Sequence, residues 1–316
     1  MTKTGHLLVG LIVAPASCVI AGSALAQNAH SWVSSTGTGT TCTRSVPCAS
    51  LDTAHDATSA GGVISILDPG GGDMYTLAVK KSLTIRAEGI DGGETAIATG
   101  GNWILVEAGP SDQVVLEGLH LNGGGIRYVS GGHLHIVRCV ITSGNVPGSA
   151  GIRFQPSSTG RLSVTDTVIT NYGSGTGGGI LVNPQSGGIA QVALERVTVN
   201  GNAFGIAADG SSSTGGINVT IADSMIAGNA QDGIIATTSS GGAPVGVMVT
   251  NTKSVNNAFG IRSLGPNVTV RVKNSDVMGN NTGLSFSGGG ILATYGNNAV
   301  NANGTNGAFS GSLPLQ

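Results

Sequence analysis

The chain has 316 residues, of which 14 are Lys or Arg and 16 are Asp or Glu, so its formal net charge is −2. Charged residues make up only 9%, which argues against a nucleic-acid partner because phosphate binding requires clustered Lys and Arg. A hydrophobic content of 40% argues against disorder. The 54 glycines follow no strict three-residue period, which excludes collagen. Together with many Val and Ile residues they indicate short strands separated by frequent turns.

Residues 1–26 have the pattern of a secretory signal peptide. A positive residue near the start is followed by an almost wholly apolar run at 7–20 and an A-x-A cleavage motif at 24–26. Two alternatives stay open: an uncleaved membrane anchor, for which the apolar run is short, and lipoprotein cleavage before Cys18. No other stretch is long and apolar enough to span a bilayer. We therefore expect an exported protein, periplasmic or extracellular, with no integral membrane segment after cleavage.

Signal cleavage would leave Cys42, Cys48 and Cys139. Cys42 and Cys48 flank a short polar loop, and exported proteins meet oxidising conditions, so we predict a local disulfide between them. Cys139 lies in an apolar strand-like segment and is predicted to be a buried, inert thiol rather than a nucleophile.

A repeat with a period of 23 to 28 residues, counted from the sequence, runs from residue 125 to near the end of the chain. Each unit has a glycine followed by an aliphatic residue, then a segment that alternates apolar and polar residues, then an asparagine. Such a period is typical of a β-solenoid, whose stacked coils bury a continuous aliphatic core. A leucine-rich repeat would need helices and a Leu-dominated consensus, which are missing. The glycine marks are Gly125, Gly151, Gly179, Gly205, Gly233, Gly260 and Gly283, and the asparagines are Asn145, Asn171, Asn202, Asn229, Asn257 and Asn280.

We therefore predict an all-β fold, a right-handed parallel β-helix with a short N-terminal capping helix. Ser50 is placed to cap a helix within 50–60, Gly61-Gly62 is expected to end it, and 63–67 is expected to be a strand. The predicted organisation is a signal peptide over 1–26, a lead-in with the cysteine loop and helix over 27–62, the parallel β-helix over 63–302, and a mobile or capping tail over 303–316.

One polar position recurs when the alternating segments are aligned. It holds opposite charges on successive coils and then asparagines, so we predict a ladder of ion pairs and amides along the solenoid. Exposed pairs of this kind contribute little stability each but favour the correct register. The residues of this ladder are Arg138, Asp166, Arg196, Asp223, Asn251 and Asn274.

The short helix, Gly61-Gly62, the strand, the Asp-Pro-Gly turn at 68–70 and Tyr75 together resemble the opening of the pectate-lyase-like (pectin-lyase-like) superfamily of right-handed β-helices. The cysteine loop and the Tyr-Gly-Asn-Asn sequence at 295–298 are similar to a group of exported bacterial members of unassigned activity. The resemblance covers roughly residues 30–305. It implies the fold but hardly any activity, because the superfamily includes lyases, polygalacturonases, epimerases, phage tailspikes and adhesins.

The acidic residues give little support for catalysis. Lyases of this superfamily typically bind Ca²⁺ through clustered carboxylates, and its hydrolases use paired aspartates. The sequence contains no Asp-Asp pair, and we expect no column with carboxylates on adjacent coils. Asp112, Glu117 and Glu107 are the nearest candidates for a pair, and a solvated face is the preferred interpretation. No metal or other cofactor is predicted.

The best candidate site is basic. Arg127 and Arg153 hold the same position on adjacent coils, His133 and His135 lie on the following strand, and His120 lies one coil earlier. An arginine pair can hold a uronate carboxylate and a histidine can act as a general base. The first four are therefore candidate catalytic residues, and the arginines with His120 are candidate binding residues. No His-x-x-x-His motif supports metal binding by the histidines. Surface polar residues without a function are the preferred alternative.

These patterns favour a non-catalytic envelope or extracellular solenoid, structural or glycan-binding, whose partner is a polysaccharide or the cell-envelope surface. Two alternatives stay open: a lyase or hydrolase acting on an acidic polysaccharide through the basic residues, and an adhesin-like surface protein. An aromatic content of 3% argues against a carbohydrate platform of stacked rings.

Overall fold

The computed structural model describes residues 1–2, 27–70, 76–87, 96–97, 102–143, 148–173 and 177–314. The predicted signal peptide, apart from its first two residues, lies outside this part of the chain, as do Tyr75 and Asn145. No helix among the described residues has the length and apolarity needed to cross a membrane.

The described residues form one helix and thirty strands. The helix α1 is Leu51–Ala57. In chain order the strands are β1 Asn28–Val33, β2 Thr58–Ile66, β3 Leu77–Val79, β4 Leu83–Ala87, β5 Ala96–Ile97, β6 Asn102–Glu107, β7 Gln113–Glu117, β8 His120–Gly123, β9 Gly125–Ser130, β10 His133–Val137, β11 Val140–Ser143, β12 Ala150–Phe154, β13 Thr159–Thr165, β14 Val168–Thr170, β15 Gly178–Val182, β16 Ile189–Glu195, β17 Thr198–Asn200, β18 Phe204–Asp209, β19 Gly216–Ala222, β20 Met225–Ala227, β21 Asp232–Thr237, β22 Val245–Thr250, β23 Lys253–Val255, β24 Phe259–Leu264, β25 Val268–Lys273, β26 Asp276–Met278, β27 Thr282–Ser287, β28 Ile291–Thr294, β29 Ala299–Asn301 and β30 Gly311–Ser312.

The strands form three parallel sheets in a solenoid of about nine turns, which confirms the predicted parallel β-helix. We call the three sheets A, B and C. Sheet A is β1-β2-β4-β7-β10-β13-β16-β19-β22-β25-β28-β30, sheet B is β27-β24-β21-β18-β15-β12-β9-β6-β3, and sheet C is β29-β26-β23-β20-β17-β14-β11-β8-β5. A typical turn of the solenoid contributes one strand to sheet A, then one to sheet C and then one to sheet B, as β13, β14 and β15 do.

The core consists of aliphatic rows that run along the solenoid axis. In β13, Leu162 and Val164 point inward and are buried, whereas Arg161 and Ser163, which alternate with them, point outward. Because the register is maintained from coil to coil, each inward residue stacks on an equivalent residue. One such row in sheet A is Leu134, Leu162, Val192, Val219, Val247, Val270 and Leu292. Burial of each side chain of this type contributes about 1.5–3 kcal/mol.

The alternating segments expected to be single strands are each divided into two, one in sheet A and one in sheet C. Between β16 and β17, Arg196 has a φ of +50° and turns the chain toward sheet C. All six residues of the predicted ladder lie in this bend, with φ between +47° and +51°. Asn and Asp adopt this left-handed conformation more readily than Arg does. Glu195 and the bend residue Arg196 both face solvent and the next residue, Val197, faces the core, so the bend adds one outward residue to the alternation.

The residue after this bend forms hydrogen bonds inside the solenoid wall. Ser224 Oγ accepts from Val197 N at 3.1 Å and donates to Ala222 O at 2.6 Å. Thr252 Oγ1 accepts from Ser224 N at 3.4 Å, and Ser275 Oγ accepts from Thr252 N at 3.1 Å. These hydroxyl groups satisfy backbone N–H groups that the turn removes from the sheets.

The bend between sheets C and B contains a buried asparagine ladder. Asn202 Nδ2 donates to Asn229 Oδ1 at 3.1 Å, Asn229 Nδ2 to Asn257 Oδ1 at 2.9 Å, and Asn257 Nδ2 to Asn280 Oδ1 at 3.1 Å. Asn280 Nδ2 extends the ladder to Asn303 Oδ1 at 2.9 Å. Each of these oxygens also accepts the backbone N–H of the preceding asparagine, as Asn257 Oδ1 does from Asn229 N at 2.9 Å. The first four side chains are at most 3% exposed.

The glycine marks of the repeat pack against this ladder. A Cβ added to Gly233 would lie 2.7 Å from Asn257 Nδ2 and 2.8 Å from Gly260 O, closer than real Cβ atoms approach. The ladder begins at Tyr172 rather than Asn171. Asn171 has a φ of +68° and is exposed, whereas Tyr172 N donates to Asn202 Oδ1 at 2.9 Å. The Tyr172 hydroxyl group donates to Gly124 O at 2.6 Å and fills the interior at that point.

The N-terminal end of the solenoid differs from the predicted boundary at residue 63. β1, which lies in the predicted lead-in, already pairs in parallel with β2, and Val33 is in register with Ile66. Gly61 and Gly62 lie inside β2 instead of ending the helix, and the register of β1 shifts beside them. The chain leaves α1 at Thr58 because this residue is extended, with φ −95° and ψ 135°.

Two devices hold this end together. Ser50 caps α1, and its side chain accepts from Thr53 N at 3.2 Å. Cys42 and Cys48, for which the sequence predicts a disulfide, are joined with their Cα atoms 4.7 Å apart. At the other end, β30 within the predicted tail pairs with β28.

Replacing Asn257 by Ala should lower the free energy of unfolding by about 2–4 kcal/mol, because Asn229 N–H and the ladder amides lose buried partners. Chemical denaturation measures this change. The matched control is Asn200→Ala, an outward position on β17, which should change stability by no more than about 0.5 kcal/mol. Equal losses in the two variants would contradict a stabilising role for the ladder.

Candidate functional site

The predicted basic cluster is divided over three faces of the solenoid. Arg127 on β9 is in register with Arg153 on β12, and both side chains point outward from sheet B. His133 and His135 point outward from sheet A on β10, and His120 begins β8 in sheet C. The structure therefore brings the arginines together and two histidines together, but not the two pairs. The chain turns between β9 and β10, so residues close in sequence reach different faces.

The two histidines of sheet A lie in contact, with their ring planes tilted by 32°. Their ring centroids are 3.5 Å apart, and His133 Nε2 lies 2.8 Å from Ser163 Oγ on the next coil. Burial, His135 and Arg161 lower the pKa of His133 to about 4, and burial also lowers the pKa of His135. Both rings are thus largely neutral at neutral pH. A group with a pKa near 4 is a weak general base there, which weakens the catalytic interpretation of His133.

An open groove of about 450 Å³ follows the outward face of sheet A beside this pair. Two columns of outward side chains, each formed by residues in register on successive strands of sheet A, define this groove. One column has longer side chains and the other has shorter ones. None of the groove-lining residues is acidic. The first column is His133, Arg161, Gln191 and Asn218, and the second is His135, Ser163, Ala193 and Thr220.

Sequence reasoning missed most of this groove. Gln191 and Asn218 occupy outward positions in alternating segments, where any polar residue is expected. The available signal is the contrast between the columns, since Ala193 and Ser163 are small beside Gln191 and Arg161. Arg161 Nε donates to Gln191 Oε1 at 3.0 Å, which joins adjacent coils along the longer column.

The predicted ion-pair ladder is formed in separate segments. Arg196 donates to both carboxylate oxygens of Asp166, at 2.6 and 3.1 Å, and also contacts Glu195. Hydrogen bonding to Arg196 lowers the pKa of Asp166. Arg138 pairs with Glu117, which lies outside the predicted ladder.

Asn251 and Asn274 form the rest of the predicted ion-pair ladder. Asn251 Nδ2 donates to Asp223 Oδ1, and Asn274 Nδ2 donates to Asn251 Oδ1 at 3.2 Å. These contacts link successive coils at an exposed corner, where each contributes little stability.

The carboxylates weighed as a catalytic pair lie apart. Glu107 is on β6 in sheet B and Glu117 on β7 in sheet A. Asp112 lies in the turn between them, where it accepts from Ser82 Oγ at 2.7 Å and Gly109 N at 2.7 Å. The hydrogen bond from Ser82 lowers the pKa of Asp112. This carboxylate therefore stabilises the turn between β6 and β7.

A buried ion pair lies on sheet B. Arg262 Nη2 donates to Asp232 Oδ2 at 2.7 Å, and the guanidinium group lies 4.2 Å from the centre of the Phe259 ring. Burial raises the pKa of Asp232 against the opposing effect of Arg262. Within the described ranges, no group of three or more His, Cys, Asp or Glu residues is arranged to hold a metal ion.

Cys139 is free and buried. Its Sγ lies 3.4 Å from Val137 O, and burial raises the pKa of the thiol to about 12. A thiol with this pKa is protonated at neutral pH and is not a nucleophile there.

Comparison with protein-family models finds no match to the sequence. Neither the curated proteins nor the solved structures give a significant match. The class of protein defined by the fold is therefore a parallel β-solenoid, without assignment to a particular family.

Acidification should destabilise the protein through His133. Its pKa is about 4 when folded, and an unfolded histidine titrates near 6.5, so the unfolded chain binds protons more readily between these values. Stability should therefore fall as the pH drops from about 6.5 to about 4. After discounting for solvent screening, we expect a contribution of about 1 kcal/mol.

Denaturant unfolding of the wild type and His133→Gln at pH values of about 7 and 4.5 measures this effect, within the window set by the two pKa values. The variant should lose less stability on acidification than the wild type. Gln191→Asn, a substitution without a titratable group on the same face of sheet A, is the control and should follow the wild type. A His133→Gln variant as acid-sensitive as the wild type would show that burial of His133 does not cause the effect.

Proposed function

We propose that the protein is a non-catalytic solenoid that binds a glycan chain in the groove of sheet A. The supporting observation is the longer column of the groove, which presents imidazole, guanidinium and amide groups on four successive coils. These coils follow one another at about 4.8 Å. An extended polysaccharide presents hydroxyl groups at a comparable repeat, so successive sugars can meet equivalent donors and acceptors.

The charge in the groove favours an acidic glycan. Arg161 is the permanent cation among the residues that line it, and none of those residues carries a carboxylate. Only Nε of Arg161 is engaged within the described residues, by Gln191. The two terminal nitrogens are therefore available for a bidentate pair with a uronate carboxylate.

The absence of acidic groove-lining residues supports binding without cleavage. Glycoside hydrolysis commonly requires two carboxyl groups on either side of the scissile bond. His133, the titratable neighbour of Arg161, has a lowered pKa and is a weak base at neutral pH.

Export and membership of the pectate-lyase-like superfamily are parts of the same proposal. The signal-peptide pattern of residues 1–26 and the Cys42–Cys48 disulfide support an oxidising compartment. The opening motif and the parallel β-helix support the superfamily.

The test is isothermal titration of the protein with oligomers of polygalacturonate and, as a neutral comparison, of an uncharged glucan. The acidic oligomer should bind more tightly. Arg161→Gln should weaken its binding by at least about tenfold, as expected for loss of a charge-assisted hydrogen bond. The matched control is Arg271→Gln, an exposed arginine farther along the same face, which should stay within about twofold of the wild type.

Reducing-end and unsaturated-product assays run on the same mixtures separate the alternatives. Product release that Arg161→Gln abolishes would replace the binding proposal by an enzyme acting in this groove. Equal weakening by Arg161→Gln and Arg271→Gln, or no binding of either oligomer, would contradict the groove as the binding site.

A further inference from the structure

Arg127 and Arg153 form a pair of like charges on the outward face of sheet B. They are in register on adjacent strands, about 4.8 Å apart along the solenoid. Arg127 is exposed and makes no side-chain hydrogen bond or ion pair within the described residues. Arg153 is partly buried, and its Nη2 donates to Gly148 O at 3.0 Å. Burial and the neighbouring Arg127 lower the pKa of Arg153.

Several arginines of the solenoid, unlike this pair, have acidic partners. Arg138 pairs with Glu117, and Arg262 pairs with Asp232 in the same outward column as Arg127. Like charges directly opposite each other on a sheet are destabilising, so the pair is unfavourable by itself. A bound anion would convert this repulsion into charge-assisted hydrogen bonds.

The surroundings favour such an anion. Leu105 and Leu181 are the neighbours of the pair in the same column, and both are partly buried. Aliphatic neighbours limit the access of water and strengthen charge-assisted hydrogen bonds. Glu107, the acidic residue of β6, is in register with Ser130 and makes no ion pair with Arg127.

We propose that Arg127 and Arg153 form a binding site for a tetrahedral oxyanion, a sulfate or phosphate group. One guanidinium group can saturate the two oxygens of a carboxylate by a bidentate contact. A sulfate or phosphate group has further oxygens and can bridge both guanidinium groups. The site lies on sheet B, whereas the groove of the proposed function lies on sheet A, and the two are independent.

The test measures binding of inorganic sulfate and phosphate by titration calorimetry at constant ionic strength, with acetate as the carboxylate comparison. The double variant Arg127→Gln/Arg153→Gln should lose at least about tenfold in affinity for both oxyanions. The matched control is Arg44→Gln/Arg271→Gln, which removes the same charge from exposed positions outside sheet B and outside the groove and should bind them as the wild type does. Acetate should bind more weakly than either.

A second arm compares a sulfated polysaccharide with its desulfated form. Binding of the sulfated chain that depends on the arginine pair identifies the group as part of a polymer, whereas binding of the inorganic ions alone identifies a free anion. Either result supports the site. Unchanged affinity in the Arg127→Gln/Arg153→Gln variant, equal loss in the control variant, or no binding of any oxyanion would overturn it. Arg127→Gln alone serves if the double variant does not fold, since the Arg127 side chain makes no hydrogen bond or ion pair within the described residues.

Discussion

The solenoid depends on hydrogen bonding at its corners. Along the strands each backbone group pairs with the neighbouring coil, but at a bend the chain turns away and these pairs are lost. A buried donor left without a partner costs about 1–3 kcal/mol, and the loss would recur on every coil. The ladder from Asn202 to Asn280 and the hydroxyl groups of Ser224 and Thr252 supply the missing partners from side chains. The conformation of each corner therefore depends on the coil next to it.

This constraint leaves the outward positions as the ones free to carry function. The inward residues are constrained by packing, and the asparagines of the buried ladder are constrained by hydrogen bonding. Outward residues have only to tolerate solvent and a strand conformation. Arg161 and Gln191 in sheet A, and Arg127 and Arg153 in sheet B, are residues of this kind. Each outward column is a line of side chains at the spacing of the coils, which suits an extended or repeating ligand.

The sequence is sufficient to predict the fold, but not to predict which of the three sheets each outward side chain belongs to. The period, the glycine marks and the asparagines identify a parallel β-helix, and Ser50 identifies the start of the helix. The bend at residues such as Arg196 is marked in the sequence only by one extra outward residue, Glu195 before Arg196, and this small break in the alternation does not by itself show that the chain changes sheet. Without that bend, no residue can be assigned to sheet A, B or C, so His133 was grouped with Arg127. The sequence also does not show that the buried asparagine ladder begins at Tyr172 and not at Asn171, since either residue fits a turn.

The distribution of the few charges explains why a chain with a net charge of −2 presents faces suited to anions. Several acidic side chains serve the structure, as Asp166 does at a corner and Asp112 in a turn. By contrast, Arg161, Arg127 and Arg153 form no ion pair with an acidic side chain in the described part of the chain. The two faces differ in the anion they suit. In the two proposals, a single guanidinium group beside amides matches a planar carboxylate on an extended chain, whereas two arginines on adjacent coils match a tetrahedral oxyanion.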